Sequence, residues 1–522
     1  MTDTFEGAPA GARDPDDAAV ARWLANLVHE GAQLRLDSRE VRPGDVFCAV
    51  PGAKADGRSF IRVAAARGAA GVIYETGDAR ETSPAAHHPV ASLGVEHLSE
   101  RLGAIASAFY GDPSAKMAGV AVTGTNGKTT TTFWVSELLG KLGLPTAVIG
   151  TVGVFLEGEK IPSPHLTTPD APSLQSIYAE VLAKGARAFA IEASSVGLEQ
   201  GRMTGSHFRV GVFTNLTRDH LDYHHTMEAY AAAKEILFTW PGLESAVVNA
   251  GDPVSERFAA TARAHGAAVW ATGREGAAEA FAQKHGCAHF LDAHRIAPTG
   301  RGTGFILSVD GVERVLHLPA IGLFNVDNAL EALAAVLALG HPLEAVLPHL
   351  ETLVPPPGRM QMVEAEGMPL GVVDYGHTPD ALEKAVTSLL PNARARGGRL
   401  WTVFGCGGDR DPGKRPMMGA VAAEHSDEVV ITSDNPRSED PQAIVEAIAA
   451  GCPGARNVRI VTDRREAIHA AVLAADPHDV VLVAGKGHES EQILKDGPHH
   501  FLDAEVLREA FNERRIRDAR GE

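Results

Sequence analysis

An α/β protein in three blocks, the second and third each wound around a mostly parallel sheet, is what this sequence predicts, and three observations predict it. The chain has 522 residues, 44% of them hydrophobic, enough for two to four domains with cores of their own. In both later blocks short apolar runs alternate with helical patterns, the mark of βαβ units around a parallel sheet. One of those runs, VAVTGTNGKTTTT at residues 120–132, passes from strand to glycine-bearing loop to helix start.

Taken in order, residues 1–17 are rich in Gly, Ala, Pro and Asp, and they predict a disordered tail. Residues 18–112 form the first block, with strand-like runs at 46–50 and 71–74 and a helix over 61–67. The turn-forming GDPSAK at 111–116 reads as a linker. Residues 113–354 form the second block, with strands at 120–122, 188–191, 210–213 and 245–248 and a helix over 227–238. It ends at Pro355-Pro356-Pro357-Gly358, which cannot continue a helix. Residues 355–522 repeat the alternation, with strands at 370–373, 400–404, 428–432, 458–461 and 480–483, and predict a second doubly wound, Rossmann-like unit.

Composition excludes several classes of function. A formal charge of −18 argues against non-specific binding to nucleic acid or to an anionic membrane. The four cysteines, Cys48, Cys287, Cys406 and Cys452, are too far apart for a metal or redox pair and suit a reducing compartment. The first residues carry no apolar signal core, and no stretch approaches the roughly 20 apolar residues that span a bilayer. These readings predict a cytoplasmic location.

The loop at 120–132 carries the chemistry. Gly124 and Gly127 permit a tight turn, and Thr125, Asn126 and Thr130 complete a cradle of backbone N–H groups for a polyphosphate. Lys128 supplies charge for the terminal phosphates, and the Thr129 hydroxyl suits Mg²⁺. Val122 stands where the usual eight-residue pattern has its first glycine. The expected ligand is ATP or a related nucleotide.

Further polar clusters lie at or near the predicted strand ends, where open α/β sheets place ligands. Thr167-Thr168-Pro169-Asp170 reads equally as a ligand loop or as a capped helix start. Glu192, directly after the 188–191 strand, is a carboxylate suited to Mg²⁺. Residues 214–224, TNLTRDHLDYH, are too dense in Asp, His and Arg for simple solvation, which singles out His220. Lys234 sits on a largely apolar helix face, where a lysine normally snorkels to water.

Together, Gly124 to Thr129, the 214–222 cluster and Lys234 resemble the Mur ligases, ATP-dependent amino-acid ligases of peptidoglycan synthesis. Further matches run through the chain: Leu36-Asp37-Ser38-Arg39, Ala55 to Arg58, Gly322 to Asn328, Gly358-Arg359-Met360, Val373 to Pro379, residues 404–410, Asp434-Asn435-Pro436-Arg437 and Gly485 to Glu489. The pattern is similar to that of the members that add meso-diaminopimelate to UDP-N-acetylmuramoyl-L-alanyl-D-glutamate.

The resemblance implies a fold in which a P-loop ATPase-like central domain stands between a UDP-substrate domain and a C-terminal amino-acid domain. It implies that Lys128, Lys234, His220 and Glu192 serve catalysis, with Thr129, Glu192, His220 and Lys234 as metal ligands. Lys234 matches the family's N-carboxylated lysine, a CO₂-derived carbamate, and this displaces the snorkelling reading. Asn325, Asn328, Arg359 and Asp374 match nucleotide-holding positions. Leu36, Ser38, Ala53, Lys54 and Ala55 match uridine-diphosphate contacts, and Thr167, Thr168, Ser194, Gln200 and Arg202 match muramoyl-peptide contacts. Arg410, Asp434, Asn435, Pro436, Arg437, Gly485 and Glu489 match the diaminopimelate site. There Arg437 suits the distal carboxylate, through paired N–H···O bonds, and Glu489 suits the distal ammonium. By residues alone, 434–437 reads equally as a turn after a strand or as a ligand loop. Leu166 departs from the family, which can have a polar residue there, and Gly376 replaces a commoner Ala, a change expected to matter little.

The implied partners are ATP, the UDP-muramoyl-dipeptide and meso-diaminopimelate, the implied metal is Mg²⁺, and the implied state is a monomer. Two rivals remain: another ligase of the superfamily, such as folylpolyglutamate synthase, and a nucleotide-dependent switch that forms no amide.

Overall fold

Strands begin and end close to where the apolar runs predict. The computed structural model describes residues 14–29, 31–52, 55–77, 89–163 and 166–520. The expected tail therefore lies outside the described residues as far as residue 13. The chain forms two units: one comprises residues up to Ala271 with Ala282–Ala288 and Ala334–His341, the other Thr272–Phe281, His289–Leu333 and Pro342–Glu522. Among the described residues no helix is long and apolar enough to cross a membrane.

In the first unit, Asp16 caps helix Asp17–Leu27 by accepting from Ala19 N at 2.7 Å. A parallel sheet follows, in the order Leu34–Arg35, Val46–Ala49, Gly71–Thr76, Ala91–Glu96. Successive side chains point to opposite faces. Val46, Cys48 and Ile73 therefore enter one core while Phe47, Val72 and Tyr74 enter another. Burial on both faces explains why these strands read as unbroken apolar runs. The expected linker is tied in place: the Ser107 hydroxyl donates to Asp112, and Ser114 is buried against His207.

Five strands of the same unit lie parallel in the order Ser245–Asn249, Val210–Phe213, Ala118–Thr123, Ala188–Glu192 and Thr146–Gly150. Gly153–Leu156 and Glu159–Ile161 extend the sheet antiparallel. Register sets Phe213 opposite Thr123 and Glu192 opposite Val122, so the loops after all three strands emerge at one edge. Val122 is fully buried, which is the physical role of the residue in place of the first glycine. The helix expected over 227–238 is α-helical for Met227–Glu235 and then tightens to a 3₁₀ turn, Ile236–Thr239.

In the second unit the βα alternation gives way between 289 and 318 to an antiparallel meander: His289–Thr299, Gly302–Val309 and Val312–Leu318. Beyond it, six strands pair in the order Gln361–Val363, Leu370–Asp374, Val480–Ala484, Leu400–Phe404, Glu428–Ile431, Val458–Ile460. All are parallel except the first. Late in the chain, Val480–Ala484 inserts between two earlier strands and creates a topological switch point. Open α/β sheets bind ligands outside the carboxyl ends of strands at such points.

Candidate active site

The phosphate loop is built by local backbone chemistry. Gly124 and Gly127 hold φ of +147° and +88°, values that favour glycine. A Cβ on Gly124 would fall 1.9 Å from the Thr214 hydroxyl, so the loop fits tightly against the segment after Val210–Phe213. That segment clamps it: Thr125 N donates to Asn215 O at 2.7 Å, Asn126 N to Asn215 Oδ1 at 3.1 Å, and Thr214 Oγ1 to Asn126 O at 2.5 Å. Lys128 opens helix Lys128–Lys141, and its ammonium donates to Gly124 O and Thr125 O at 3.0 and 2.9 Å. Thr130, next on the helix, is buried. Helix N-terminus, free-turning glycines and lysine form an anion cradle.

Lys234 overturns the snorkelling expectation. Only 1% exposed, it donates to Gly124 O at 2.8 Å and lies 4.2 Å from the Tyr230 ring centre. Burial first, then repulsion from Lys128, lowers its pKa well below the ordinary lysine range, with Asp219 opposing. Such surroundings favour the uncharged amine over the ammonium. Tyr230 also shares a hydrogen bond with Thr125 Oγ1, at 3.2 Å, and packs edge-on to His220. His220 itself is exposed, 3.7 Å from Asp219. Among the described residues no three His, Cys, Asp or Glu side chains converge as a metal cluster.

Glu192 is 1% exposed, yet its carboxylate is fully engaged. Oε1 accepts from the Thr129 hydroxyl and from Thr151 N, both at 2.9 Å, and Oε2 accepts from the Thr151 hydroxyl at 3.1 Å. Thr151 also meets Thr167 Oγ1 at 3.1 Å. Thr168 Oγ1 donates to Glu192 O at 2.8 Å and lies 2.9 Å from Ser194 Oγ. Arg202 donates to Thr168 O at 3.0 Å and to Gln200, whose amide reaches Tyr223 OH at 3.1 Å. Thr167, Thr168, Ser194, Gln200 and Arg202 thus share one network with Glu192. Asp170 meanwhile caps helix Ala171–Ala183, so the helix-start reading of that segment also holds. Leu166, the departure from the family, is 44% exposed. Ser38 is buried beyond Leu34–Arg35, and Ala55 O accepts from Gly52 N. Ala53 and Lys54 lie outside the described residues.

In the second unit, buried Asn325 donates to Ile321 O at 2.8 Å and accepts from Asn328 at 3.1 Å. Asp374, at a strand end, accepts from Met360 N at 3.0 Å and Gly376 N at 2.8 Å. Burial pushes its carboxyl pKa up, opposed mainly by the Arg359 guanidinium. Arg359 lies over the Tyr375 ring at 4.8 Å. A Cβ on Gly376 would sit 2.9 Å from Asp374 Oδ1, at the end of that side chain.

The residues at 434–437 are more than a turn. Asn435 donates to Glu489 Oε2 at 2.8 Å and accepts from Lys486 Nζ at 3.0 Å and Ile493 N at 2.9 Å. Lys486, its side chain fully buried, also donates to Glu489 at 3.1 Å and to Glu491 O at 2.7 Å. Asp434 and Gly485 touch so closely that a Cβ on Gly485 would lie 2.6 Å from Asp434 Oδ2. Buried Pro436 precedes Arg437, which holds φ of +53° and donates to Gly408 O at 2.7 Å. Arg410 is exposed on the neighbouring loop. Asn215 and Lys486 stand inside named motifs without being singled out, and Thr151 and Tyr230 carry no signal in local sequence.

Family models match this chain at residues 122–336 (Mur ligase middle domain), 358–487 (Mur ligase, glutamate ligase domain) and 32–110 (Mur ligase family, catalytic domain). The chain belongs to the Mur ligase family. Among curated relatives, the UDP-N-acetylmuramoyl-L-alanyl-D-glutamate–2,6-diaminopimelate ligase of Janthinobacterium sp. (strain Marseille) is 45% identical, over 96% of this chain and 98% of its own. The enzyme of that name from Ralstonia nicotianae is 45% identical over 98% and 99%. A solved structure of a ligase with the same name aligns with TM-score 0.68 and 35% identity, covering 92% of this Mur ligase and 95% of the other chain.

Proposed function

We propose that this Mur ligase joins meso-2,6-diaminopimelate to the D-glutamate γ-carboxylate of UDP-N-acetylmuramoyl-L-alanyl-D-glutamate, with ATP as co-substrate. Near-full-length identity of 45% to ligases of that name supports the reaction. The observation that carries the choice of amino acid is the 434–437 turn, where Arg437 stands beside the Asn435–Glu489–Lys486 network.

A carboxylate and a γ-phosphate repel each other, so cationic groups must neutralise both before in-line attack. Lys128 and the N–H groups of the loop hold the phosphates. The Thr129 hydroxyl and Glu192 carboxylate, 2.9 Å apart, are hard oxygen donors that fit Mg²⁺, with Lys234, as its carbamate, and His220 as further ligands. When bound, Mg²⁺ screens the phosphate charge. Thr167, Thr168, Ser194, Gln200 and Arg202 orient the muramoyl peptide, while Leu36, Ser38 and residues 53–55 hold its uridine diphosphate. Asn325, Asn328, Arg359 and Asp374 hold the nucleotide. The glutamate γ-carboxylate takes the phosphoryl group, leaving ADP and an acyl phosphate. The amine of diaminopimelate attacks the acyl carbon, and the tetrahedral intermediate expels phosphate.

Arg437 grips the distal carboxylate that lysine lacks. Lysine in the same place would leave a guanidinium without its partner, which costs several kcal/mol and rejects it. The test is phosphate release and product mass with ATP, the UDP-muramoyl-dipeptide and either amino acid. The tripeptide is expected with diaminopimelate alone; an equal rate with lysine overturns the assignment, and no ligated product favours a nucleotide switch.

A further inference from the structure

Arg464 and Asp503 form the most deeply buried ion pair among the described residues, both side chains 0% exposed. Each opens a helix, Arg464–Ala474 and Asp503–Arg520. Two parallel bonds join them, from Nε at 2.8 Å and from Nη2 at 2.7 Å. The guanidinium then reaches the loop just past one strand and the end of another: Nη1 donates to Ser433 O at 3.3 Å and Nη2 to Ala484 O at 3.0 Å.

Ser433 and Ala484 immediately precede Asp434 and Gly485. Their strands, Glu428–Ile431 and Val480–Ala484, are not neighbours, because Leu400–Phe404 runs between them. Arg464 therefore spans the end of the middle strand. There Gly405 leaves no slack, since a Cβ would lie 2.4 Å from Thr432 O. Nor does Gly485, whose Cβ would meet Asp434 at 2.6 Å.

A buried ion pair is weak evidence for stability, since apolar residues of similar volume often serve as well. Geometry is the better account of this one. Only a planar fork of donors holds a carboxylate on one edge and two carbonyls on the others; an ammonium is a single point.

We propose that the Arg464–Asp503 pair is a positioning device for the amino-acid site, a buried strut that sets the spacing of Asp434 and Gly485 and thereby of the Asn435–Glu489 contact. The inference rests on reading residues 434–437 as the amino-acid site. The experiment is steady-state kinetics with separate KM values for ATP, UDP-muramoyl-dipeptide and diaminopimelate, alongside thermal unfolding. Arg464→Lys is expected to raise the diaminopimelate KM about tenfold, with kcat and the other two KM values within about twofold. The double variant Arg464→Met with Asp503→Leu keeps volume and removes both charges. It is expected to fold with a Tm near the parent's and to show the same roughly tenfold KM defect. An equal rise in all three KM values, or a normal diaminopimelate KM in the folded double variant, overturns the strut. Should the parent enzyme add a different amino acid, the diaminopimelate assignment fails, and the same split is read on that amino acid's KM.

Discussion

Two lysines, one in each unit, are buried to the same degree and solve the problem of a buried amine in opposite ways. Lys486 is ringed by Glu489, Asn435 and Glu491 O, so its charge is matched by acceptors. Lys234 has one carbonyl and an aromatic face, Lys128 for an electrostatic neighbour, and no carboxylate paired with it among the described residues. Burial alone therefore does not decide what a lysine does; the company it is buried in does. Lys486 keeps acceptors around its amine, whereas burial and the nearby Lys128 lower the Lys234 pKa well below the ordinary lysine range.

The largest test of this contrast is Lys234→Met. Activity is expected to fall by on the order of a hundred- to a thousandfold, as when a transition-state electrostatic group is removed, with no loss in Tm. Measurable ligation at the parent's rate would break the comparison. In the second unit, Arg437→Ala should cut kcat/KM for diaminopimelate about a hundredfold and erase its preference over lysine, while ATP affinity persists. Unchanged selectivity in competition kinetics would remove Arg437 from the argument. Lys486→Met reverses the Lys234 pattern: Glu489 and Asn435 lose their donor, at a cost of about 2 kcal/mol in urea-unfolding stability. A variant as stable as the parent would mean the two pockets are alike.

The smallest effect is one of pH. Because the folded state lowers the Lys234 pKa, the unfolded chain binds more protons between the folded and unfolded values. Stability relative to Lys234→Met should thus rise with pH across that window, by at most about 1.4 kcal/mol per pH unit, and level off below the folded pKa. Urea titrations of both proteins in CO₂-free buffer check the slope. In bicarbonate labelled with ¹³C, a carbamate resonance present in the parent and missing from Lys234→Met would sharpen the contrast further.

The phosphate loop was legible because its parts are adjacent: glycines, lysine and threonine act through the backbone of one short turn. Strands buried on both faces were legible as unbroken apolar runs, and 210–213 and 400–404 form over those same residues. Thr151 was not legible, since its bonds to Glu192 cross 41 positions. Nor was the meander at 289–318, whose strands alternate in burial over stretches of mixed composition. Arg464 reads in sequence only as a basic residue at a helix start, and nothing near it names Asp503, 39 positions away.

What the order of residues determined by itself was local: turn chemistry, strand periodicity and the spacing of Lys128 and Thr129. Tertiary structure alone decided the partners and the lowering of the Lys234 pKa. Gly124, 110 positions from Lys234, accepts a hydrogen bond from it, and Glu489, 54 positions from Asn435, accepts one from that amide. Dielectric and proximity are properties of folded space, and they separate two lysines that look much alike along the chain.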